Sequence, residues 1–583
     1  MSERENSMSE TAVAGRGGVG GVSSEPYTIT IQPPPVGENA IFRWRDALER
    51  IRVAGGGRIV FAPGSYDFFP EGCDQRYCYF SNNDEGVKTI ALDLRGLSGL
   101  TLDGYGAELL FHGRISPLAA EECRGLTVAG FTVDFVDSFV SDADLVEQKD
   151  GVAWFRIGGK HGYRDGRLTF AGDFFDNLSG ELIFFPYDAA RGETVWDQRM
   201  VSLSNHDLLE RDGLIGFRHD FSGCGSNAFL IKHELRLCPG MVFDRCTDVW
   251  IVGVTLHHAA GMGILCQLCE NVAVEKVRIV PRGRRASVSD DALHMVDCRG
   301  RLSVVGSEFA GTLDDSINVH GMYRPLKVRL PGGKIHYLDT GHFQQAGLPG
   351  ARDGDTLELI KNDTCLSYGR IKVRKARPLN KCLTRIEIDE AELPPEFVPG
   401  DCARVAEVAD STLVVRDCRF TPLNGRGVLA AGMREAVIEN NFFHTSGAAV
   451  FVSGDSNFWY EAGPVAEMRI SGNTFDHCCY RRWISTREPV SVFPELPNDV
   501  PGKCYHGHIT VTGNVFRSAF RNLVSMRSVA RAEVTDNEFI TDTTYEYRPG
   551  YETGYFFAET NDAQIALLNC PDPVLGGNRQ IGK

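Results

Sequence analysis

The 583-residue chain has no apolar run near the roughly 18 residues that a membrane span needs. It is short of positive charge: 61 Lys and Arg stand against 77 Asp and Glu, for a formal charge of −16. A nucleic-acid or anionic-membrane partner needs a basic footprint, so neither is expected and a neutral or cationic ligand fits better. No secretory leader is expected either. The first 26 residues, through Pro26, are rich in Ser, Gly and Glu and read as disordered, without an apolar core. A disulfide framework is missing too, because the 17 cysteines are odd in number and Cys246, Cys266, Cys298 and Cys418 sit inside strand-like runs. They read as buried free thiols of a reducing compartment, which favours the cytoplasm and leaves secretion open. Cys266 and Cys269 make a C-x-x-C with no second ligand pair and no thioredoxin-like surroundings. The expectation is therefore no metal and no cofactor.

What the chain does have is glycine, 63 residues spread along its length, and a short recurring motif. The motif reads Ile438-Glu-Asn-Asn441-Phe-Phe443, Ile470-Ser-Gly-Asn473-Thr-Phe475, Val511-Thr-Gly-Asn514-Val-Phe516 and Val534-Thr-Asp-Asn537-Glu-Phe539. Looser copies lie upstream, among them Val128/Phe131/Val133, Ile251/Val254/Leu256 and Val415/Cys418/Phe420. Coils of roughly 20–30 residues made of short β-runs and tight turns are the mark of a parallel β-helix. Asn at the fixed turn position is expected to take left-handed geometry and to stack its amides along the ladder. Ala40–Gly56 reads as a helix with Ile41, Trp44, Ala47, Leu48 and Ile51 on one stripe, suited to capping the open end.

Two stretches break the coil pattern. Residues 138–240 contain Val152–Ile157, Arg167–Phe170 and Leu182–Phe185. Residues 322–408 contain Leu326–Leu330, Thr356–Ile360, Arg370–Val373 and Leu383–Ile388. Both read as inserted antiparallel β-barrel-like domains. The expected order is a disordered segment (1–26), cap and first coils (27–137), an insertion (138–240), coils carrying acids (241–321), a second insertion (322–408) and C-terminal coils with a tail (409–583).

The acids in question are two doublets. Asp290-Asp291 lies in Ser289–Met295, and Asp314-Asp315 lies in Leu313–His320. The doublets are 24 residues apart, about one coil, and superposing them sets Leu293 on Ile317, His294 on Asn318 and Met295 on Val319. Stacked strands lie about 4.8 Å apart, so four carboxyls would crowd one patch. Such crowding splits carboxyl pKa values, as general acid–base cleavage of a glycosidic bond requires. Turn chemistry and a calcium site are the competing readings. Diagonal pairs suit an inverting reaction and direct stacking a retaining one.

His294, Asn318 and His320 alternate with apolar residues and are candidate sugar ligands beside Asp290. His257-His258, one coil earlier, are a further candidate. Aromatic residues pack on the apolar faces of sugars, which points to Trp459 and Tyr460 in Phe458-Trp-Tyr-Glu461 and to Trp483. Glu461 and Asp455 could reach the same cleft, and Asn83 lies in the polar loop Phe80–Gly86.

Taken with Tyr66–Gly72, Phe80–Asp84, Ser289–Met295 and above all Leu313-Asp-Asp-Ser-Ile-Asn-Val-His-Gly321, the chain resembles the bacterial α-1,3-galactosidases of glycoside hydrolase family 110. The resemblance runs from about residue 35 to 560. It implies an all-β protein, a right-handed parallel β-helix with inserted β-barrels. It also implies metal-independent, exo-acting, inverting release of terminal α-1,3-linked galactose from blood-group-B-type or linear Galα1-3Gal structures. Asp291, Asp314 and Asp315 are then the catalytic residues, with Asp314 or Asp315 as general acid and Asp291 handling water. Two other classes stay open: a polygalacturonase-like hydrolase or lyase on the same fold, and a non-catalytic glycan-binding solenoid. The sequence leaves monomer or homodimer undecided.

Overall fold

A computed structural model describes residues 26–582, apart from 173–174, 178–179, 196–199, 234–235, 329–332, 390–392, 423, 481–487, 520–521 and 546–563. The first 25 residues, and with them nearly all of the segment read as disordered, lie outside the described residues, as does Trp483.

Among the described residues, short strands stack into three long sheets of 13, 12 and 13 strands. Each coil gives one strand to each sheet, and successive coils pair in parallel, as Val249–Val252 does with Val272–Glu275. The chain is a parallel β-helix. Its repeat follows from the motif. In the second sheet Phe309, Phe420, Phe443, Phe475, Phe516 and Phe539 stack ring on ring, with centroids 4.5–5.4 Å apart. At the turn before them, Asn441, Asn473, Asn514, Asn537 and Asn578 form an amide ladder. Each ladder Nδ2 donates at 2.9–3.0 Å to the next Oδ1, and that same Oδ1 accepts the donor residue's backbone N–H. The left-handed backbone expected at these asparagines sits one residue earlier instead, at Asn440, Gly472, Gly513, Asp536 and Gly577. The preceding residue makes the bend, which frees the amide to point inward and satisfy buried backbone groups.

Helix Ile41–Ala54 closes one end, burying Ile41, Trp44, Ala47, Leu48 and Ile51. Gly55, at φ +78°, ends the helix by donating its N–H to the Arg52 carbonyl. Trp44 stacks on Phe61 at 6.1 Å. All 17 cysteines are free thiols, and 13 are buried. Cys266 and Cys269 are packed in the core.

Two excursions interrupt the coils. The first leaves after Thr132–Phe135 and returns at Met241–Asp244. It holds an eight-stranded antiparallel sheet, including Val140–Lys149 and Ala228–Lys232, and a three-stranded one. The second leaves after Ile317–Met322 and returns at Thr412–Arg416. Its six strands, from Arg324–Val328 to Cys402–Val405, close into a barrel. The first excursion thus returns into the start of a third-sheet strand, and the second leaves from the end of one.

Candidate active site

The patch lies where chain enters the third sheet. Strand Leu293–Val296 pairs in parallel with Ile317–Met322, in the register Leu293 to Ile317, His294 to Asn318 and Met295 to Val319. The next coil continues it, with Ile317 on Val428. Asp291, Asp315 and Arg426 each stand two residues before these partners, so they form one column across three coils. Leu293, Met295, Ile317 and Val319 face the core, which turns His294, Asn318 and His320 the other way.

One oxygen each from Asp291, Asp314 and Asp315 falls within a mutual 4.8 Å. Asp291 is buried. Its Oδ1 accepts the Asp315 backbone N–H at 3.2 Å, and its Oδ2 faces His294 Nδ1 at 2.7 Å. Asp315 is buried and accepts both the backbone N–H (2.8 Å) and the Nε–H (2.9 Å) of Arg426. Asp314 is the accessible member, its side chain 23% exposed, and its Oδ2 accepts from Arg236 at 3.0 Å. Burial and the Asp315 charge push Asp291 up to about 7. Burial and the Asp291 charge push Asp314 up to about 6. Burial also raises Asp315 to about 6, against the pull of Arg426. The three cannot all be ionised at neutral pH without large cost, so the cluster shares a proton.

Arg236 comes from the first excursion. It bridges Asp314 and Asp290, with Nε 2.9 Å from Asp290, and donates to the Asn82 carbonyl. Asp290 also binds Lys232 Nζ at 2.5 Å and the Ser289 hydroxyl at 2.9 Å. Burial opposes its charge, but Lys232 and Arg236 outweigh that and hold it below the usual carboxylate range. A hard cation wants six or more oxygens. Here two guanidiniums and backbone N–H groups already occupy the carboxylates, a donor set suited to proton sharing.

The cavity over this cluster has a volume of about 500 Å³. Asn82, Arg236, Asp291, Asp314, Asp315, Asn318 and Arg426 line it, together with Phe451, Ser453, Asp455, Phe458, Trp459, Glu461 and Glu495. Asp455 shapes this lining: its carboxylate accepts the backbone N–H groups of Asn457 (2.6 Å), Phe458 (3.0 Å) and Tyr460 (3.3 Å). The turn so held leaves Phe458 62% and Trp459 38% exposed. Phe343 of the barrel, 49% exposed, meets Trp459 at 5.7 Å. Asn82, Arg236 and Tyr460 around the cavity all carry positive φ, a strain common at functional sites.

Of the residues singled out in the sequence, Asp291, Asp314, Asp315, Asn318, Trp459, Glu461 and Asp455 line the cavity. Asp290, His294 and His320 do not: they are buried and bonded to protein groups. Tyr460 packs beside His342 at 5.2 Å. Asn83 turns its amide to the Ser81 carbonyl, and its neighbour Asn82 lines the cavity instead. His257 bonds the Val280 carbonyl, and His258 stacks on Phe139. Arg236, Arg426, Phe343 and Glu495 were not foreseen. Extending the doublet alignment one more coil would have found Arg426. Nothing in the sequence marks Arg236 or Phe343, which arrive from the excursions.

A protein-family profile described as "GLAA-B beta-barrel domain II" matches residues 338–403, within the barrel. The chain is 27% identical over 565 residues to a protein of Bacteroides thetaiotaomicron named alpha-1,3-galactosidase B, covering 93% of this chain and 89% of that one. It is 26% identical over 533 residues to alpha-1,3-galactosidase A of Shewanella woodyi, covering 88% and 85%. Among solved structures it is similar to the exopolygalacturonase of Thermotoga maritima, with TM-score 0.38, 12% identity and coverage of 95% and 94%. The resemblance first carried by a few segments thus extends over nearly the whole chain.

Proposed function

We propose that the chain is an exo-acting glycoside hydrolase that releases terminal α-1,3-linked galactose. The observation that carries this reading is the cluster of crowded carboxyls Asp291, Asp314 and Asp315 on the lining of a cavity of about 500 Å³. Its relatives' names supply the sugar and the linkage. Asp314 protonates the leaving oxygen, a role supported by its accessibility and raised pKa. Asp291 and Asp315, joined through the Asp315 N–H, hold and activate water. Asn318, Glu461 and the two arginines supply ligands for hydroxyls, and Trp459 with Phe458 offers a face for the sugar beyond the scissile bond.

Inversion follows from the resemblance. One observation favours a second reading, retention: one oxygen of each acid lies within 4.8 Å of the others, short of the ~6.5–9.5 Å typical of inverting pairs. The experiment is NMR of the sugar released from Galα1-3Gal and from the fucosylated B trisaccharide. The expected first product is β-galactose. α-Galactose first would select double displacement, and no galactose from either would overturn the hydrolase reading. Asp314→Asn should fold normally and lose at least about 10³-fold in kcat.

A further inference from the structure

Six carboxyl groups line the cavity: Asp291, Asp314, Asp315, Asp455, Glu461 and Glu495. Five of them are held by the protein. Asp291, Asp314 and Asp315 have His294, the arginines and backbone N–H groups. Asp455 accepts from Asn457, Phe458 and Tyr460, and Glu461 accepts from Asn318 at 3.4 Å and from the Gln344 amide at 3.5 Å. Glu495 differs. It is partly buried, yet its carboxyl makes no hydrogen bond and no ion pair among the described residues.

The backbone that carries it is tied down. Glu495 N–H donates to the Gly454 carbonyl at 2.9 Å, and Phe493 N–H donates to the Val452 carbonyl at 2.8 Å, so the two segments run side by side. The Arg527 guanidinium lies 5.4 Å from the centre of the Phe493 ring and donates to the Pro494 and Leu496 carbonyls, both at 3.5 Å. An acceptor held in place with its lone pairs open is preorganised for donors that arrive with a ligand.

Its position says which part of a ligand that is. In the third sheet Ile317–Met322, Val428–Ala430, Val450–Val452 and Val490–Val492 are consecutive strands. Asp315 precedes the first of them and Glu495 follows the last, three strand spacings on, or roughly 14 Å along the solenoid axis. Glu495 instead adjoins Gly454-Asp455, the start of the turn that presents Phe458 and Trp459. It belongs to the aromatic side of the cavity, away from the acid cluster. Burial raises its pKa, as do the charges of Asp455 and Glu461, and Arg426 opposes them. An anionic ligand group would meet the same charges, whereas a hydroxyl donates to the carboxylate without repulsion.

We propose that Glu495 is a specificity-determining residue whose carboxylate accepts hydrogen bonds from hydroxyls of the glycan on the leaving side of the scissile bond. The inference rests on the hydrolase reading for which sugar lies there, but binding can be measured without turnover. Those hydroxyls belong either to the penultimate galactose or to a fucose branched from it.

The test uses the full chain carrying Asp314→Asn, with and without Glu495→Gln, in titration calorimetry with galactose, Galα1-3Gal and the fucosylated B trisaccharide. Glu495→Gln should weaken glycan binding about tenfold or more and leave galactose within twofold. A loss shared by both glycans puts the hydroxyls on the penultimate galactose, and a loss on the trisaccharide alone puts them on fucose. Galactose weakened as much as the glycans would place Glu495 at the cleaved sugar and overturn the proposal, as would no loss on any ligand. In the otherwise unchanged chain, Glu495→Gln should melt no more than about a degree below wild type, because the carboxyl has no protein partner to lose. A clear drop in melting temperature would make the residue structural and overturn the proposal. In turnover the same variant should lose about tenfold in kcat/KM on the glycan that binding singles out, and stay within twofold on an aryl α-galactoside. Wild type that releases no galactose, while the binding difference persists, would overturn the hydrolase reading and leave this one standing.

Discussion

At the scale of single residues, the site is held together by groups that would be more stable apart. Asp291 takes an ordinary carboxyl value of 3.8 up to about 7, and Asp314 and Asp315 rise to about 6. A carboxyl raised on folding disfavours the folded state once pH passes its unfolded value. The penalty grows between about pH 4 and 7 and is absent below pH 4, where both states are protonated. Asp291→Asn should therefore melt several degrees higher than wild type at pH 7.5, a gain on the order of 1–3 kcal/mol. The gap should close as pH falls toward 4. Thermal melts across that range check it, and a gap that persists at pH 4 would assign the gain to packing instead. Asp290 behaves oppositely, because Lys232 and Arg236 complete it. Lys232→Met leaves the buried Asp290 carboxylate with Arg236 as its one cation and should cost about 1–3 kcal/mol in urea unfolding. The two members of one sequence doublet thus have opposite energetics. Their shared spelling does not reveal this, since it depends on cations delivered from the first excursion.

At the scale of the coil, the sequence was most legible. Period, inward Phe and register could all be read, because each coil repeats the same local problem and solves it with the same residues. The doublet alignment that placed His294 on Asn318 is the register of the sheet. What the repeat hid was geometry between turns. Ladder asparagines were assigned the left-handed bend, which the residue before them supplies. Their own task is hydrogen bonding. Asn514 donates to the Ile470 carbonyl (2.9 Å) and Asn537 Oδ1 (2.9 Å), and accepts from Asn473 Nδ2 (3.0 Å) and its backbone N–H (2.9 Å). Asn514→Ala leaves several buried partners unpaired and should cost about 2–4 kcal/mol, read as a lower urea midpoint. Gly425 shows the same coupling at the site. A Cβ there would sit 2.4 Å from the Asp314 carbonyl carbon and 2.7 Å from the Asp315 nitrogen. Gly425→Ala must push the acid turn aside. A displacement of that order costs roughly 10²-fold in kcat, and circular dichroism should show an unchanged β content. Full activity would mean that the acid turn tolerates movement.

At the scale of the whole molecule, the β-helix supplies a rigid row of carboxyls and the excursions turn that row into a cavity. The first sends in Arg236, and the barrel sends Gln344 toward Glu461 and Phe343 onto Trp459. These were the contributions that the sequence could not place, because an excursion's loops are positioned by its own fold rather than by the coil repeat. Phe343 separates a walling role from a recognition role. It is 49% exposed and sits outside the barrel's buried cluster, so Phe343→Ala should leave the melting temperature within about a degree. If its ring and Trp459 together form a face for the sugar beyond galactose, kcat/KM should fall about tenfold on the fucosylated trisaccharide. An aryl α-galactoside, whose leaving group needs no such platform, should be cleaved within about twofold of the wild-type rate. Equal losses on both substrates would place the ring at the galactose itself, and no loss on either would leave the barrel as a wall alone.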